Sequence, residues 1–332
     1  MAAAIAVLGA GSWGTALALQ CARAGRAVRL WDRNAELVAA LAAERRNRRY
    51  LPECELPAGV APIADLAAAV GGAADVLIAV SSAGFRELLQ QLRPLLPSRT
   101  PVCWATKGFE MDSGLLPHQV AAQELGSGAP RAVLSGPTFA REVGAALPTA
   151  MVVAATDPNY AASLAHGLST DSFRIYTSAD IVGVETGGAV KNVLAVGAGM
   201  SDGLGFGANT RVALITRGLV EMTRLAVALG GRRETMMGLA GLGDLVLTCT
   251  DDQSRNRRFG LLLAAGHSPA AALERIGQVV EGYRAARAVH DVAARLGVEM
   301  PISDGIYRIL YEGQSAHATV RELMTRPIKA EN

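Results

Sequence analysis

The chain has 332 residues, half of them apolar and under a fifth charged, with a formal net charge of +2 at pH 7. At roughly 100–200 residues per domain this is enough for two packed domains, and it excludes a disordered chain. The near-neutral balance gives no support to a nucleic-acid or membrane-surface role.

The opening Met1-Ala2-Ala3-Ala4-Ile5 has no basic n-region, which predicts no signal peptide. Short, near-continuous apolar runs then recur at 4–8, 28–31, 76–80, 101–105, 132–134 and 151–154. Such runs suit parallel strands buried on both faces. Helix-compatible segments lie between them at 15–24, 35–44, 85–96 and 115–125. The alternation predicts an α/β domain built on a doubly wound parallel sheet, the Rossmann arrangement, over residues 1–179.

Within it, Gly9-Ala10-Gly11-Ser12-Trp13-Gly14 joins the first strand to the first helix. A GxGxxG string alone is weak, and a glycine-rich turn in an ordinary α/β protein is the competing reading. Strand before, helix after and an acid about twenty residues on complete the dinucleotide fingerprint. Gly9 suits the tight turn, Gly11 the approach of a pyrophosphate, and Gly14 close helix–strand packing. The second strand ends at Trp31-Asp32-Arg33-Asn34. An acid there favours NAD through the ribose 2′-hydroxyl, and an arginine favours NADP through the 2′-phosphate. With both present, either cofactor is expected, NADPH being somewhat favoured.

Thr106-Lys107-Gly108 follows the run at 101–105, and Ser135-Gly136-Pro137-Thr138-Phe139-Ala140 follows the next. Ligands of open α/β sheets bind beyond the carboxyl ends of strands, so Lys107 is placed to face one. The second segment fits a plain strand-to-helix turn equally well.

After about Ser178 helical periodicity takes over, which predicts an all-α domain over 180–332. The stretch 181–200 carries Glu185, Lys191 and Asn192 among five glycines, too polar for a membrane span. Over 212–229, Arg217, Glu221 and Arg224 form one polar stripe, ended by Gly230-Gly231. Arg284, Arg287, Asp291 and Arg295 repeat that spacing. Burial of Lys191 on its apolar helix lowers its pKa toward the range of a general acid, which ketone reduction needs. A lysine snorkelling out of a surface helix is the alternative. Asp244, in Gly241-Leu242-Gly243-Asp244, is placed to orient a lysine or a substrate hydroxyl. Ser254-Arg255-Asn256-Arg257-Arg258 offers three arginines to a phosphate, or is a solvated charged loop. The five histidines show no metal-ligand spacing, so no metal is expected. Cys21, Cys54, Cys103 and Cys249 form no CxxC pair and read as reduced thiols of a cytoplasmic protein.

These segments together resemble the bacterial-type NAD(P)-dependent sn-glycerol-3-phosphate dehydrogenases. The likeness runs from Gly9-Ala10-Gly11-Ser12-Trp13-Gly14-Thr15-Ala16 to Val279-Val280-Glu281-Gly282. Its most specific pieces are residues 135–140, Val190-Lys191-Asn192 with the tail to Asn209-Thr210, and Gly243-Asp244 leading to Ser254-Arg255-Asn256. The resemblance implies a Rossmann domain and a helical domain with the site in the cleft between them. It implies hydride transfer between NAD(P)H and dihydroxyacetone phosphate, supplying glycerol 3-phosphate for phospholipid synthesis. Ser12, Trp13, Arg33, Lys107, Ala140, Arg255, Val279 and Glu281 would contact the cofactor. Lys107, Gly136, Thr138, Lys191, Asp244, Ser254, Arg255 and Asn256 would border the phosphorylated triose, with Lys191 as proton donor. No nucleic-acid partner is implied, and a homodimer is expected. Two rivals stay open: a sugar-nucleotide dehydrogenase using Cys249 as nucleophile, and a non-catalytic NAD(P) sensor needing neither Lys191 nor Arg255.

Overall fold

The structure, a computed structural model, describes residues 4–126 and 128–327. The expectations for residues 1–3 and 328–332 fall outside it. The first half alternates β1 (Ile5–Leu8), α1 (Ser12–Arg23), β2 (Val28–Trp31), α2 (Ala35–Glu44), β3 (Arg46–Asn47), β4 (Leu51–Glu55), β5 (Val60–Ile63) and α3 (Leu66–Val70). It continues with β6 (Asp75–Ile78), α4 (Phe85–Leu92), β7 (Val102–Trp104), α5 (Pro117–Leu125), β8 (Arg131–Ser135), α6 (Ala140–Gly144), β9 (Thr149–Ala155), α7 (Pro158–Leu168) and β10 (Phe173–Ser178).

Eight strands form one sheet in the order β10-β9-β8-β7-β6-β1-β2-β5. Ile5, Val7, Leu30, Leu77 and Cys103 are fully buried, as strands covered by helices on both faces must be. The chain winds from β1 outward through β2 and β5, then returns to β6 on the other side of β1. The glycine-rich turn after β1 therefore stands at the switch point of the sheet, where such folds bind ligands.

The sheet departs from the parallel expectation at one pairing, since β8 and β9 run antiparallel. The only helix linking them is the five-residue α6, and a parallel crossover asks for more chain. Three expected boundaries also moved. The helix expected over 85–96 stops at Leu92, near Pro94, which has no N–H to donate one turn back along the helix. The helix expected from 115 begins at Pro117, which takes the first helical position. The first helix starts at Ser12, inside the turn. Strands β3, β4, β5 and β10 were not expected. β5 contains Pro62 on a sheet edge, where a missing donor is tolerated, and β10 alternates buried and exposed residues on the other edge.

Beyond Ser178 the described residues contain no strand. The helices are α8 (Ile181–Gly203), α9 (Gly207–Ala228), α10 (Arg233–Met236), α11 (Asp244–Thr250) and α12 (Arg255–Ala264). They are followed by α13 (Pro269–Ile276), α14 (Glu281–Leu296), α15 (Pro301–Tyr311) and α16 (Ala316–Met324). Among the described residues no helix is long and apolar enough to cross a membrane. The apolar α8 is instead the axis of the helical part, wrapped by α9, α11, α12 and α14. Glycine permits this crowding: a Cβ on Gly260 would lie 2.1 Å from the Val196 carbonyl oxygen.

The stripe on α14 is exposed, but Glu221 on α9 is not. Its carboxylate accepts hydrogen bonds from the backbone N–H of Ile302 at 2.7 Å and of Ser303 at 3.1 Å. It thereby satisfies the first turn of α15 from outside that helix.

Candidate active site

A cleft of about 800 Å³ opens where the carboxyl ends of the strands meet α8, α11, α12 and the start of α14. On the sheet side, the three glycines of the turn have three different neighbourhoods. Gly9 has φ +107°, and a Cβ there would lie 2.9 Å from the Ala79 carbonyl oxygen. A Cβ on Gly14 would lie 1.8 Å from the Gly9 carbonyl oxygen, so this position needs glycine for packing. A Cβ on Gly11 would meet nothing within 4 Å. The fold itself does not need glycine at 11; an anion approaching the free N–H groups of α1 does. No side chain caps that helix, and no acid sits in its first turn.

The turn is braced from behind. Asp32 accepts from the backbone N–H of Ala10 at 2.8 Å and of Asn34 at 2.9 Å. Asn47, fully buried, donates to the Ala10 carbonyl and to Thr15 Oγ1, both at 2.8 Å. Arg33 is exposed. Trp13 lines the cleft with its buried Nε1 lacking a hydrogen-bond partner.

On the helical side, Asp244 opens α11 and is 1 % exposed. Lys191 from α8 donates to its Oδ1 and Lys107, beyond β7, to its Oδ2, each at 2.6 Å. Lys191 also donates to Thr248 Oγ1 at 2.9 Å, and that hydroxyl donates to the Asp244 carbonyl oxygen at 2.6 Å. Thr248 follows Asp244 by four residues, so the two share one face of α11. Burial drives the Lys191 pKa down to about 8; Asp244 opposes this, and the ammonium of Lys107 adds to it. Burial pushes the Asp244 carboxyl up, but the two ammonium groups outweigh it and leave it below its ordinary value.

Beside this cluster, Asn192 donates to Glu281 Oε2 at 3.1 Å and accepts from Asn256 Nδ2 at 2.8 Å. Asn256 in turn accepts from the Gly282 N–H at 2.8 Å, which ties α8, α12 and α14 together.

Residues 4–161 match the model of the NAD-dependent glycerol-3-phosphate dehydrogenase N-terminus, and residues 180–321 match that of its C-terminus. The chain belongs to this family. Glycerol-3-phosphate dehydrogenase [NAD(P)+] of Thioalkalivibrio sulfidiphilus is 56% identical over 327 residues, 98% of each chain. The enzyme of that name from Klebsiella pneumoniae strain 342 is 53% identical over 330 residues, 99% of this chain and 97% of the other. The crystal structure of glycerol-3-phosphate dehydrogenase from Coxiella burnetii superposes with a TM-score of 0.95 at 47% identity, covering 98% of this chain and 99% of that one. Glycerol-3-phosphate dehydrogenase from Saccharomyces cerevisiae, 24% identical with a TM-score of 0.85 over 98% of this chain and all of the other, shares the fold.

Of the residues that the family resemblance assigns, Ser12, Trp13, Lys107, Thr138, Ala140, Lys191, Ser254, Arg255, Asn256 and Glu281 line the cleft. Asp244 lies under the two lysines as their shared partner. Gly136 borders the site through its carbonyl oxygen, 3.5 Å from Lys107 Nζ. Gly9, Gly11, Gly14, Arg33 and Val279 are not among the residues that line the cleft, and Val279 is 53 % exposed. The arginine run is divided. Arg255 and Arg258 face the cleft, but Arg257 turns inward to Asp202, at 2.7 Å, and to Asp252. Ser254 caps α12 by accepting from the Arg257 N–H at 3.2 Å. Asn47, Asn192 and Thr248 were missed as site residues: each is a short polar side chain whose partner is remote in sequence or one helical turn away. Lys191, 7 % exposed, does not snorkel to a surface. Cys249 is fully buried with its thiol pushed up to about 12 by burial, which removes the nucleophile that a sugar-nucleotide dehydrogenase needs. Among the described residues no cluster of His, Cys, Asp and Glu could hold a metal ion.

Proposed function

We propose that the chain interconverts dihydroxyacetone phosphate and sn-glycerol 3-phosphate with NAD(P)H, as an NAD(P)-dependent dehydrogenase supplying glycerol 3-phosphate for phospholipid synthesis. The observation that carries this is the pair Lys107 and Lys191 on one buried carboxylate at the floor of a nucleotide-binding cleft. Residues 1–179 form the nucleotide-binding domain in this reading, and residues 180–332 the catalytic one.

The open space at Gly11 and the uncapped α1 N-terminus fit a dinucleotide pyrophosphate, and Trp13 in the same turn lines the cleft. Ser12, Trp13, Ala140, Val279 and Glu281 would hold the rest of the cofactor. When bound, the reduced nicotinamide supplies the hydride. The protein supplies the proton. The Lys191 ammonium has three donors, and two are taken by Asp244 and Thr248. The third is free for the ketone oxygen, where negative charge develops. A pKa of about 8 leaves this ammonium protonated near neutrality yet acidic enough to give up its proton. In the reverse direction the neutral amine accepts the alcohol proton. Asp244 keeps both lysines in place and offsets one of their charges. Arg255 would grip the phosphate with its planar fork, with Ser254, Asn256, Gly136 and Thr138 around the triose.

For the cofactor, Asp32 is engaged with backbone N–H groups and Arg33 is exposed beside it, which supports use of both cofactors with NADPH favoured. Four free, buried cysteines support a cytoplasmic setting. Assembly as a homodimer belongs to the same reading. The deciding assay follows nicotinamide absorbance with purified protein and dihydroxyacetone phosphate. Steady oxidation of NADPH or NADH is expected, with unphosphorylated dihydroxyacetone a very poor substrate. Absence of triose-phosphate-dependent oxidation with either cofactor would overturn the assignment.

A further inference from the structure

Glu185 carries a carboxyl group, is 3 % exposed, and is absent from the chemistry derived above. It sits on α8, six residues before Lys191. Three donors from the sheet half converge on its carboxylate. Trp104 Nε1 donates to Oε1 at 2.8 Å, and the His118 backbone N–H donates to the same oxygen at 3.0 Å. His118 Nδ1 lies 2.6 Å from Oε2, and with the carboxylate ionised it must carry the proton. Trp104 is the last residue of β7, three before Lys107, and it is locked in the core edge-on to Phe85 at 5.8 Å. His118 lies in the first turn of α5, whose N–H groups have no partner within the helix.

Between Glu185 and Lys191 lies Gly188, one helical turn from each. A Cβ on Gly188 would stand 3.4 Å from Lys107 Cγ and 3.3 Å from Ser135 Oγ. Helix α8 thus rides directly on the stem of Lys107, with no side chain of its own there to hold the spacing. Any slide of α8 against β7 moves Lys191 relative to Lys107. Apart from the lysine–Asp244 cluster itself, the contact that opposes such a slide is the one from Glu185 to Trp104 and His118.

We propose that Glu185 is a positioning residue for the reduction: it ties the strand end carrying Lys107 to the helix carrying Lys191, and so sets how the two ammonium groups meet on Asp244. This rests on the reading of Lys191 as proton donor. Glu185 touches neither lysine, so its effect passes through geometry alone.

The test uses the full-length chain with Glu185→Gln, which keeps the shape of the side chain and an oxygen for Trp104 and the His118 N–H, but removes the charge and sets an amide donor against His118 Nδ1. Folding is checked by circular dichroism, and cofactor affinity by NADPH titration. kcat is measured with NADPH and with NADPH deuterated at the transferred position. The expected result is a kcat loss of at least about tenfold, within the range that residues coupling two sites deliver. NADPH Kd should stay within about twofold, because the turn after β1 is untouched, and the deuterium effect on kcat should increase as the chemical step becomes limiting. His118→Ala, a partly exposed side chain, should act in the same direction by about two- to fivefold. It decides the matter if Glu185→Gln does not fold. A folded variant with parental kcat overturns the proposal. So does a loss of kcat shared equally by NADPH affinity with no change in the deuterium effect, which marks a purely structural tie. If the parent itself does not turn over dihydroxyacetone phosphate, the reading of the activity fails, and Glu185 is not what failed.

Discussion

The glycine turn on the sheet wall of the cleft offers backbone N–H groups and open space, whereas the opposite wall is a charged cluster in which Lys191 of α8 and Lys107, reaching over from the end of β7, crowd onto one carboxylate. At Gly11 an added Cβ meets nothing, while Lys107, Lys191, Asp244 and Thr248 make contacts of 2.6 to 2.9 Å with one another. The first wall recognises an anion through helix geometry and needs little from side-chain chemistry. The second stores charge in a dry place, where a missing partner is costly and a proton is easily moved. Substitutions on the first wall should therefore alter binding, and substitutions on the second should alter the chemical step.

The largest effect is expected at Lys191. Lys191→Met keeps length and packing but removes the proton donor, so kcat should fall by roughly 10²–10⁴-fold with NADPH affinity retained. A kcat within about tenfold of the parent, too small a loss for a missing acid, would show that another group or water supplies the proton. Gly11→Val comes next. Two or more backbone hydrogen bonds to a charged pyrophosphate, at about 1.5–3 kcal/mol each, imply an affinity loss of at least ~10²-fold. The melting temperature should hardly change, since the added atoms meet open space. Gly14→Ala is the control within the same turn: its Cβ strikes the Gly9 carbonyl, so it should lower the melting temperature by several degrees. If Gly11→Val binds NADPH normally, the turn is not the nucleotide site.

Arg33→Ala tests the edge of the sheet wall. Losing a charge-assisted contact worth about 1.5–3 kcal/mol should weaken NADPH by ~10–10²-fold and leave NADH nearly unchanged. Equal weakening of both would make Arg33 structural and turn attention to Asp32.

The smallest and most graded effect is that of pH. With a Lys191 pKa of about 8, the protonated fraction falls as pH rises through that value. kcat/KM for ketone reduction should then decline, by up to about tenfold per unit, while kcat/KM for alcohol oxidation rises over the same range. Profiles that run in parallel in the two directions would remove Lys191 from the proton transfer. The depressed value also has a consequence for stability. Between about 8 and the ordinary lysine value the unfolded chain holds a proton that the folded chain has released, so stability should rise with pH across that window. Urea unfolding of the parent and of Lys191→Met at several pH values would show whether this slope belongs to Lys191.

The two walls also differ in how far they could be read beforehand. The glycine turn is a local device: strand, turn and helix are contiguous from Ile5 to Arg23, and each glycine's role follows from its offset. The parallel strands were legible for a similar reason, since burial on both faces leaves an uninterrupted apolar run. The edge strands β5 and β10 were not, because one is broken by Pro62 and the other alternates. Lys191 stood out as a charge on an apolar helix, Lys107 by its place beyond a strand's carboxyl end and Asp244 by its glycine loop, while the family resemblance supplied Asn256. Arg257 reads the same as Arg255 in a run of letters. Only the packing of α12 against α8 turned one toward Asp202 and the other toward the cleft.

What the sequence by itself determined is therefore what short-range physics controls: the glycine turn, the buried strands, the change from mixed to helical texture after Ser178, and family membership. Tertiary structure alone decided which charges meet. Lys107 and Asp244 stand 137 residues apart, and Lys191 and Asp244 stand 53 apart. No periodicity relates such positions. Their contact, and the lowering of the Lys191 pKa that follows from burial, exist only once α8 has been packed against the carboxyl ends of the sheet.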